Sequence, residues 1–430
     1  MVRSQLSIFK KTNRDMNIAI VGGGISGISA GWELAKHHNV TIFESNSKIG
    51  GHSNTFEYTD QSGNIWPIDT GFIVFNDWNY PLFKNFIHQL NIPEEETDMS
   101  FSFTDEKNNI SYSGTLSGLF PNKKSALNPS QILFLFNIYK YSKKLNSSKV
   151  DDSKNIIQVL KELGCPNKVI ENYFIPISSA IWSCDPDYVR YMPASTFINF
   201  FNNHKLFEFF NKPKWKTIPG GSKKYVDKFT NLFKGSIQVN SEVISVEEVE
   251  DFVQITLSNN SIQAYDYVVM ATHSDISNRL IKNLSSSKKE ILQEYQYTEN
   301  NVVLHTDETY MPLNKRTWSS WNVMNTSTDN SKNYHVTYYM NRLQNISSET
   351  NFFVTLNPSK LPDPSTLIFQ TSYSHPILSH SSSENEKSIY KLNKSGKIKF
   401  CGAYLGYGFH EDGFKSGKMV AQNIISDSGL

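Results

Sequence analysis

Chemistry is concentrated near the start of this 430-residue chain. Gly22, Gly24 and Gly27 stand in the spacing Gly-x-Gly-x-x-Gly directly after the apolar run Asn17 to Val21. The first glycine permits a tight turn, the second lets backbone approach a pyrophosphate, and the third lets a helix pack closely on a strand. A helix that begins around Ile25 and Ser26 turns free N–H groups toward the phosphate charge. Glu44 closes the next short apolar run, about 20 residues on, where a carboxylate accepts both ribose hydroxyls. A carboxylate there disfavours a 2′-phosphate, so NADP fits poorly. NAD and FAD both fit.

The elements that must hold these groups follow from periodicity. Asn17 to Val21 and Val40 to Phe43 are short, apolar and β-branched, as buried parallel strands are, with a helix over Ile28 to Lys36 between them. Helical patterns recur in residues 82–90 and 132–141, and Asn155 to Phe210 reads as mainly helical, interrupted by prolines. Ile237 to Leu257 alternates as strands do, and Tyr265 to Ala271 is a further buried strand. Asn301 to Thr306, Tyr334 to Met340 and Phe352 to Leu356 predict an antiparallel sheet. Ile398 to Ala403 predicts a strand that passes through glycines into a last helix. The expected class is α/β. A Rossmann-type dinucleotide domain is assembled from residues 16–79, 215–275 and 395–430, with an α+β substrate domain inserted as 80–214 and 276–394.

Composition narrows the partners. The 42 basic and 41 acidic residues leave a net charge of +1, against a nucleic-acid partner. Cys165, Cys184 and Cys401 form no metal-binding spacing and fit a reducing, cytoplasmic setting. No apolar run approaches the roughly 18 residues that span a bilayer. Residues 1–15 carry Arg3, Lys10, Lys11 and Arg14 without an apolar core, so they are no secretory signal. They read as a loose tail, or as the product of an upstream start before Met16. Ile132 to Phe136 is wholly apolar and is followed by Lys140, Lys143 and Lys144. It describes either a buried core helix or one that dips into a membrane face with its lysines at the head groups.

Further residues carry a resemblance. Gly50-Gly51-His52 follows Glu44 by a short loop, and Asp69-Thr70-Gly71-Phe72 comes after another strand. Together with the fingerprint they resemble the flavin amine oxidase superfamily, so the resemblance implies FAD. In that family the Gly-Gly loop wraps the diphosphate, and the later glycine turn passes the isoalloxazine ring. His52 stands here where arginine is usual. Phe400-Cys401-Gly402-Ala403 resembles the strand and turn near the ribityl chain, with Ala403 in place of an acidic residue. Gly408 to Gly417, through Phe409, His410 and Glu411, resembles the start of the family's final helix, whose N-terminus faces the flavin. Val243 resembles the strand whose backbone clasps the adenine, and Ala271-Thr272 the family's Ala-Thr/Gly-Pro turn, with His273 in place of proline. The phrases IDTGFIVFN, AIWSCDP, VVMATHSD and FCGAYLGYGFHEDGF resemble one branch of predicted NAD/FAD-binding proteins, over Met16 to about Ser426. Members of that branch are associated with cyclopropane fatty acid synthase-like methyltransferases, and some with desaturation of methyl-branched acyl chains.

The resemblance therefore implies an FAD-dependent oxidoreductase acting on an acyl lipid, at the inner membrane face, with a lipid methyltransferase as partner. Desaturation takes a hydride and a proton from neighbouring carbons; isomerisation returns the hydride elsewhere. His410, in the flavin-adjacent turn, is the candidate base, with Tyr407 beside it and His305 on a strand of the substrate domain. Trp182 and Trp321 are candidate tunnel walls. Two other readings stand beside this one: a flavin amine oxidase or porphyrinogen-type oxidase, and a non-catalytic FAD-binding partner of a methyltransferase.

Overall fold

The computed structural model describes residues 15–114, 116–119, 128–148, 153–208, 213–325, 334–378 and 382–428. The expected tail, residues 1–15, lies outside them except for Asp15.

Five strands form a parallel sheet in the order Ser236–Gln238, Asn39–Phe43, Asn17–Val21, Tyr267–Met270, Ile398–Phe400. Alternate residues serve opposite faces. Ile18 and Ile20 enter one core with Ile42 and Val269, whereas Ala19 and Val21 enter another with Val268, Met270 and Phe400. Both faces are covered, as parallel sheets require. The first face carries the helices Ile25–Leu34, Lys223–Leu232 and His410–Ser428; the second carries the antiparallel ribbon of Val243–Val249, Phe252–Leu257 and Ile262–Tyr265.

The second domain holds a seven-stranded sheet built mainly from antiparallel pairs. Trp321–Asn325 pairs parallel with Phe101–Asp105, joining sequence regions more than 200 residues apart. A helical layer between Pro129 and Asn203 packs on that sheet through Phe174, Trp182, Phe197, Phe200 and Phe201.

The boundaries differ from those expected. The helix Pro81–Gln89 places Phe83, Phe86 and Ile87 in the core beneath the parallel sheet, so the dinucleotide domain extends past residue 79. The Glu411 carboxylate fixes it there, accepting the N–H groups of Leu82 (2.8 Å) and Phe83 (2.9 Å) at the start of that helix. Ile281, Leu292, Tyr295 and Leu392 likewise pack on the other face, moving parts of 276–394 to the dinucleotide side.

The final helix crosses the first at glycine. A Cβ on Gly417 would stand 2.2 Å from the Ser26 carbonyl oxygen, and Ser29 Oγ donates to the Phe414 carbonyl at 2.7 Å. In an open helix Gly→Ala gains about 1 kcal/mol. Here the sign reverses: Gly417→Ala is expected to lower stability in urea unfolding by about 1–3 kcal/mol, the usual range for overpacking. A gain in stability would show that the two helices do not cross this closely.

Candidate functional site

A cavity of about 350 Å³ runs between the two domains. Its walls come from glycine turns on one side (Gly24, Gly51, Gly71, Gly402) and from Ile177, Ile181, Trp182, Phe200 and Tyr338 on the other.

The glycine side is built by close backbone approach. Gly22 adopts a φ of +107° that side chains avoid, and a Cβ there would meet the Ala271 carbonyl oxygen at 2.8 Å. A Cβ on Gly27 would meet the Gly22 oxygen at 2.0 Å, and one on Gly71 the His52 oxygen at 2.1 Å. Gly24 is different: its Cβ position has nothing within 4 Å, and it faces the cavity. Gly24 is also the N-cap of the first helix and makes no side-chain capping bond. The first-turn N–H groups, with Ile25 and Ser26 on the cavity wall, are open to an anion. The Gly-Gly loop is tied in register by Gly50 N–H to the Gly23 carbonyl at 2.8 Å. Glu44 is buried, and its carboxylate accepts the N–H groups of Gly23 and Asn46, each at 2.9 Å. His52 Nε2 is buried on the same side with no hydrogen-bond partner.

These features fit a dinucleotide with a flavin ring. There is open space at the one glycine where a phosphate must approach, an uncapped helix N-terminus beside it, and an orphaned buried donor or acceptor in the loop. His52, Phe72, Thr272, Ala403 and Phe409 also lie on the wall. Of the other expected cofactor residues, Gly22, Gly27, Glu44, Thr70, Val243 and Glu411 do not. Gly22 and Gly27 shape the loop from behind, and Thr70 Oγ1 is engaged by Asn54 and Tyr373. The Val243 side chain is packed in the core between ribbon and sheet, which leaves only its backbone for the expected adenine contact. Glu411, expected at the flavin, caps the helix Pro81–Gln89 instead.

The catalytic candidates separate. Tyr407 and His410 line the cavity. The His410 ring is stacked on Phe72 at 3.8 Å, and its Nε2 is hydrogen-bonded to the Tyr225 hydroxyl at 2.9 Å. Burial pushes it down to about 3. A packed imidazole engaged in this way is poorly placed to take a proton. His305 is fully buried in the strand Tyr297–His305, bonded to Thr355 Oγ1 at 2.7 Å and to the Asp307 N–H at 3.1 Å, and does not line the cavity. Its expected catalytic role is corrected to a structural one. Cys401 is buried in the core, where burial pushes its thiol up.

His273, read from the sequence only as standing in place of a proline, is on the wall, and two further histidines there escaped the sequence reading: His204 and His375. Alternation along Leu367–Pro376, which puts Tyr373 and His375 on one face, is the only local signal for the last. Burial is the leading cause that lowers all five cavity histidines: His204 and His375 to about 4, and His52 well below its ordinary value. No Asp, Glu, Lys or Arg lines the cavity among the described residues. At neutral pH its side chains carry no charge.

Residues 25–353 match the model of a family described as flavin containing amine oxidoreductase. Among solved structures, the fold is similar to cyclohexylamine oxidase from Brevibacterium oxydans IH-35A, with 13% identity and a TM-score of 0.68 over 97% of this chain and 100% of that one. It is similar to a CLA-producing fatty acid isomerase from P. acnes, with 13% identity and a TM-score of 0.66 over 95% and 98%. Wild-type putrescine oxidase bound to putrescine gives 12% identity and a TM-score of 0.65 over 96% and 99%. At these identities the likeness is one of fold.

Two outcomes follow. Glu44→Ala removes the carboxylate that orders Gly23 and that the sequence spacing assigns to a ribose, and a charged hydrogen bond is worth about 1.5–3 kcal/mol. FAD affinity is expected to fall by roughly one to two orders of magnitude in equilibrium titration; an unchanged affinity would remove Glu44 from the site. The second outcome concerns acid. Unfolded histidine takes a proton near pH 6.5. In the fold His204, His305, His335 and His375 resist until about 4 and His410 until about 3. Each then favours the unfolded chain by about 1.4 kcal/mol at one unit below pH 6.5. Asp69 and Asp412, raised to about 6, and Glu411, raised to about 7, act oppositely, because the fold takes up their protons first. Five histidines outweigh three carboxyls, so the melting temperature of the flavin-free protein is expected to fall between pH 7.5 and 5.5. A rise would contradict neutral burial of the histidines.

Proposed function

We propose, for a chain that belongs to the flavin containing amine oxidoreductase family and is an FAD-dependent oxidoreductase, that its substrate is the acyl chain of a lipid. The observation that carries this reading is the uncharged cavity. A protonated amine would find no carboxylate on the wall, and a porphyrinogen's carboxylates would find no cation. Saturated and allylic carbons need neither. Phe200, Ile177, Ile181 and Trp182 offer the apolar surface that stabilises such a chain, at about 0.8 kcal/mol per buried CH₂.

FAD, when bound, supplies a two-electron acceptor able to take a hydride from carbon. The protein's part is to exclude water and hold the chain. The sequence phrases shared with the methyltransferase-associated branch favour a methyl-branched acyl substrate, with a diene as product and a lipid methyltransferase as the partner that supplies the branch. The fatty acid isomerase among the fold neighbours makes return of the hydride an alternative fate on the same scaffold.

The helix Pro129–Asn146 supports access from a membrane surface. It buries Phe134, Ile138, Tyr141 and Leu145, so one face is core. Ile132, Leu133 and Phe136 are exposed at 48%, 58% and 58%, so the apolar run is not wholly buried. Lys140 and Lys143, further along the helix, suit anionic head groups. Among the described residues no helix is long and apolar enough to cross a membrane.

Anaerobic mixing tests the substrate. Methyl-branched unsaturated phospholipid is expected to bleach the bound flavin, whereas primary amines are not; bleaching by amines alone would overturn the lipid reading. For the surface, Leu133→Glu with Phe136→Glu is expected to weaken sedimentation with phosphatidylglycerol vesicles by tenfold or more. Each buried Leu or Phe contributes about 1.5–3 kcal/mol. Equal sedimentation of variant and parent would place the contact elsewhere.

A further inference from the structure

The geometry points to His375 as a neutral hydrogen-bond donor to the bound flavin, with its tautomer imposed by a relay of two asparagines that starts at a backbone N–H. The inference rests on the FAD assignment and is independent of which substrate is oxidised.

The relay can be read one link at a time. The Asn301 backbone N–H can only donate, and it donates to Asn357 Oδ1 at 2.9 Å. The oxygen of Asn357 is thereby identified, so its Nδ2 is the atom 2.7 Å from Asn300, and it donates to Asn300 Oδ1. The Nδ2 of Asn300 is then the atom facing His375, at 2.9 Å from Nδ1. The same Nδ2 lies 3.4 Å from the Thr298 carbonyl oxygen, which can only accept. His375 Nδ1 therefore accepts, and a neutral ring must carry its proton on Nε2. Asn300 is fully buried, so no water competes for that link.

The Nε2–H is left for the cavity. His375 lies on its wall, with its ring centroid 5.3 Å from that of His52. Its neighbour Pro376 abuts the turn before the final helix, where a Cβ on Gly408 would come within 3.2 Å of Pro376 Cγ. The donor thus sits between the Gly-Gly-His loop and the final-helix turn, both of which line the glycine side of the cavity. An acyl chain offers no acceptor at its reacting carbons, whereas a flavin ring has carbonyl oxygens and ring nitrogens. His410 differs because its Nε2 is already bonded to Tyr225. His204 has the opposite polarity: its Nδ1 lies 2.9 Å from the Phe200 carbonyl and must donate there.

The tautomer is measured directly from long-range ¹H–¹⁵N spectra of histidine-labelled, flavin-free protein. The parent is expected to show His375 protonated at Nε2. Asn300→Asp replaces the donor with an acceptor and is expected to move the proton to Nδ1. Asn357→Asp, which does not touch the ring, is expected to do the same by turning the Asn300 amide over. That response at a distance would not arise from a packing role. An Nδ1 proton in the parent, or an unchanged tautomer in both variants, overturns the relay. The ligand arm uses FAD alone. His375→Phe is expected to weaken FAD binding about three- to tenfold, the size of one neutral hydrogen bond, and to shift the visible absorption band of the bound flavin. Unchanged affinity and spectrum would overturn the flavin as acceptor, whichever substrate bleaches it.

Discussion

Everything at the site depends on how closely the final helix lies on the first. Gly417 comes so near Ser26, and Gly413 so near Ile25, that any side chain there would collide. The first helix in turn packs tightly on its strand through Gly27. Its consequence is positional. The first helix starts at Gly24 and the final helix at His410, and the crossing brings both starts to the same cavity. Two helix N-termini then converge where negative charge on a bound dinucleotide would lie.

Convergence of helix starts brings carboxylates with it, and the fold keeps them away from the cavity. Glu411 is turned onto the N–H groups of Leu82 and Phe83, and Asp412 onto those of Tyr407 and Phe409. Asp69 takes Thr55, the backbone and hydroxyl of Ser222, and Gln344 from the second domain. Burial raises all three. The bonds of Glu411, and those of Asp69 to Ser222 and Gln344, join segments far apart in sequence, and all three carboxylates leave the cavity wall to apolar and neutral groups.

What could be read in the sequence was what is local. The glycine spacing, Glu44 and the short β-branched runs act through neighbours a few residues away, and the parallel sheet and the loop around Gly24 follow from them. The domain boundary was hidden because the apolar stripe of Pro81–Gln89 says that a core exists, not which one; Glu411, more than 300 residues later, decides. His305 and His375 are each a single histidine near the end of a strand. Only their partners distinguish them: Thr355 ties the first into the sheet, while Asn300 holds one edge of the second and leaves the other free. Helical periodicity likewise could not show that the apolar residues 132–136 divide between a buried and an exposed face.

His52 raises the last question of charge. Where an arginine would bring a fixed positive charge to the loop, this chain places an imidazole that burial keeps neutral, and His273 and His375 beside it are neutral for the same reason. Three protonated rings so close together would repel one another and find no carboxylate on the wall. The loop therefore offers a dinucleotide hydrogen bonds rather than a charge, and the electrostatic part falls to the helix N-termini. Such partial charges belong to the backbone and cannot be titrated away. A neutral wall also suits the apolar other half of the cavity, because a buried guanidinium would need a counter-ion, and no carboxylate lines the cavity among the described residues. Replacing arginine by histidine in the loop and lining the far side with Phe200, Trp182 and Ile181 are thus two expressions of one condition, a binding site kept free of ionised side chains.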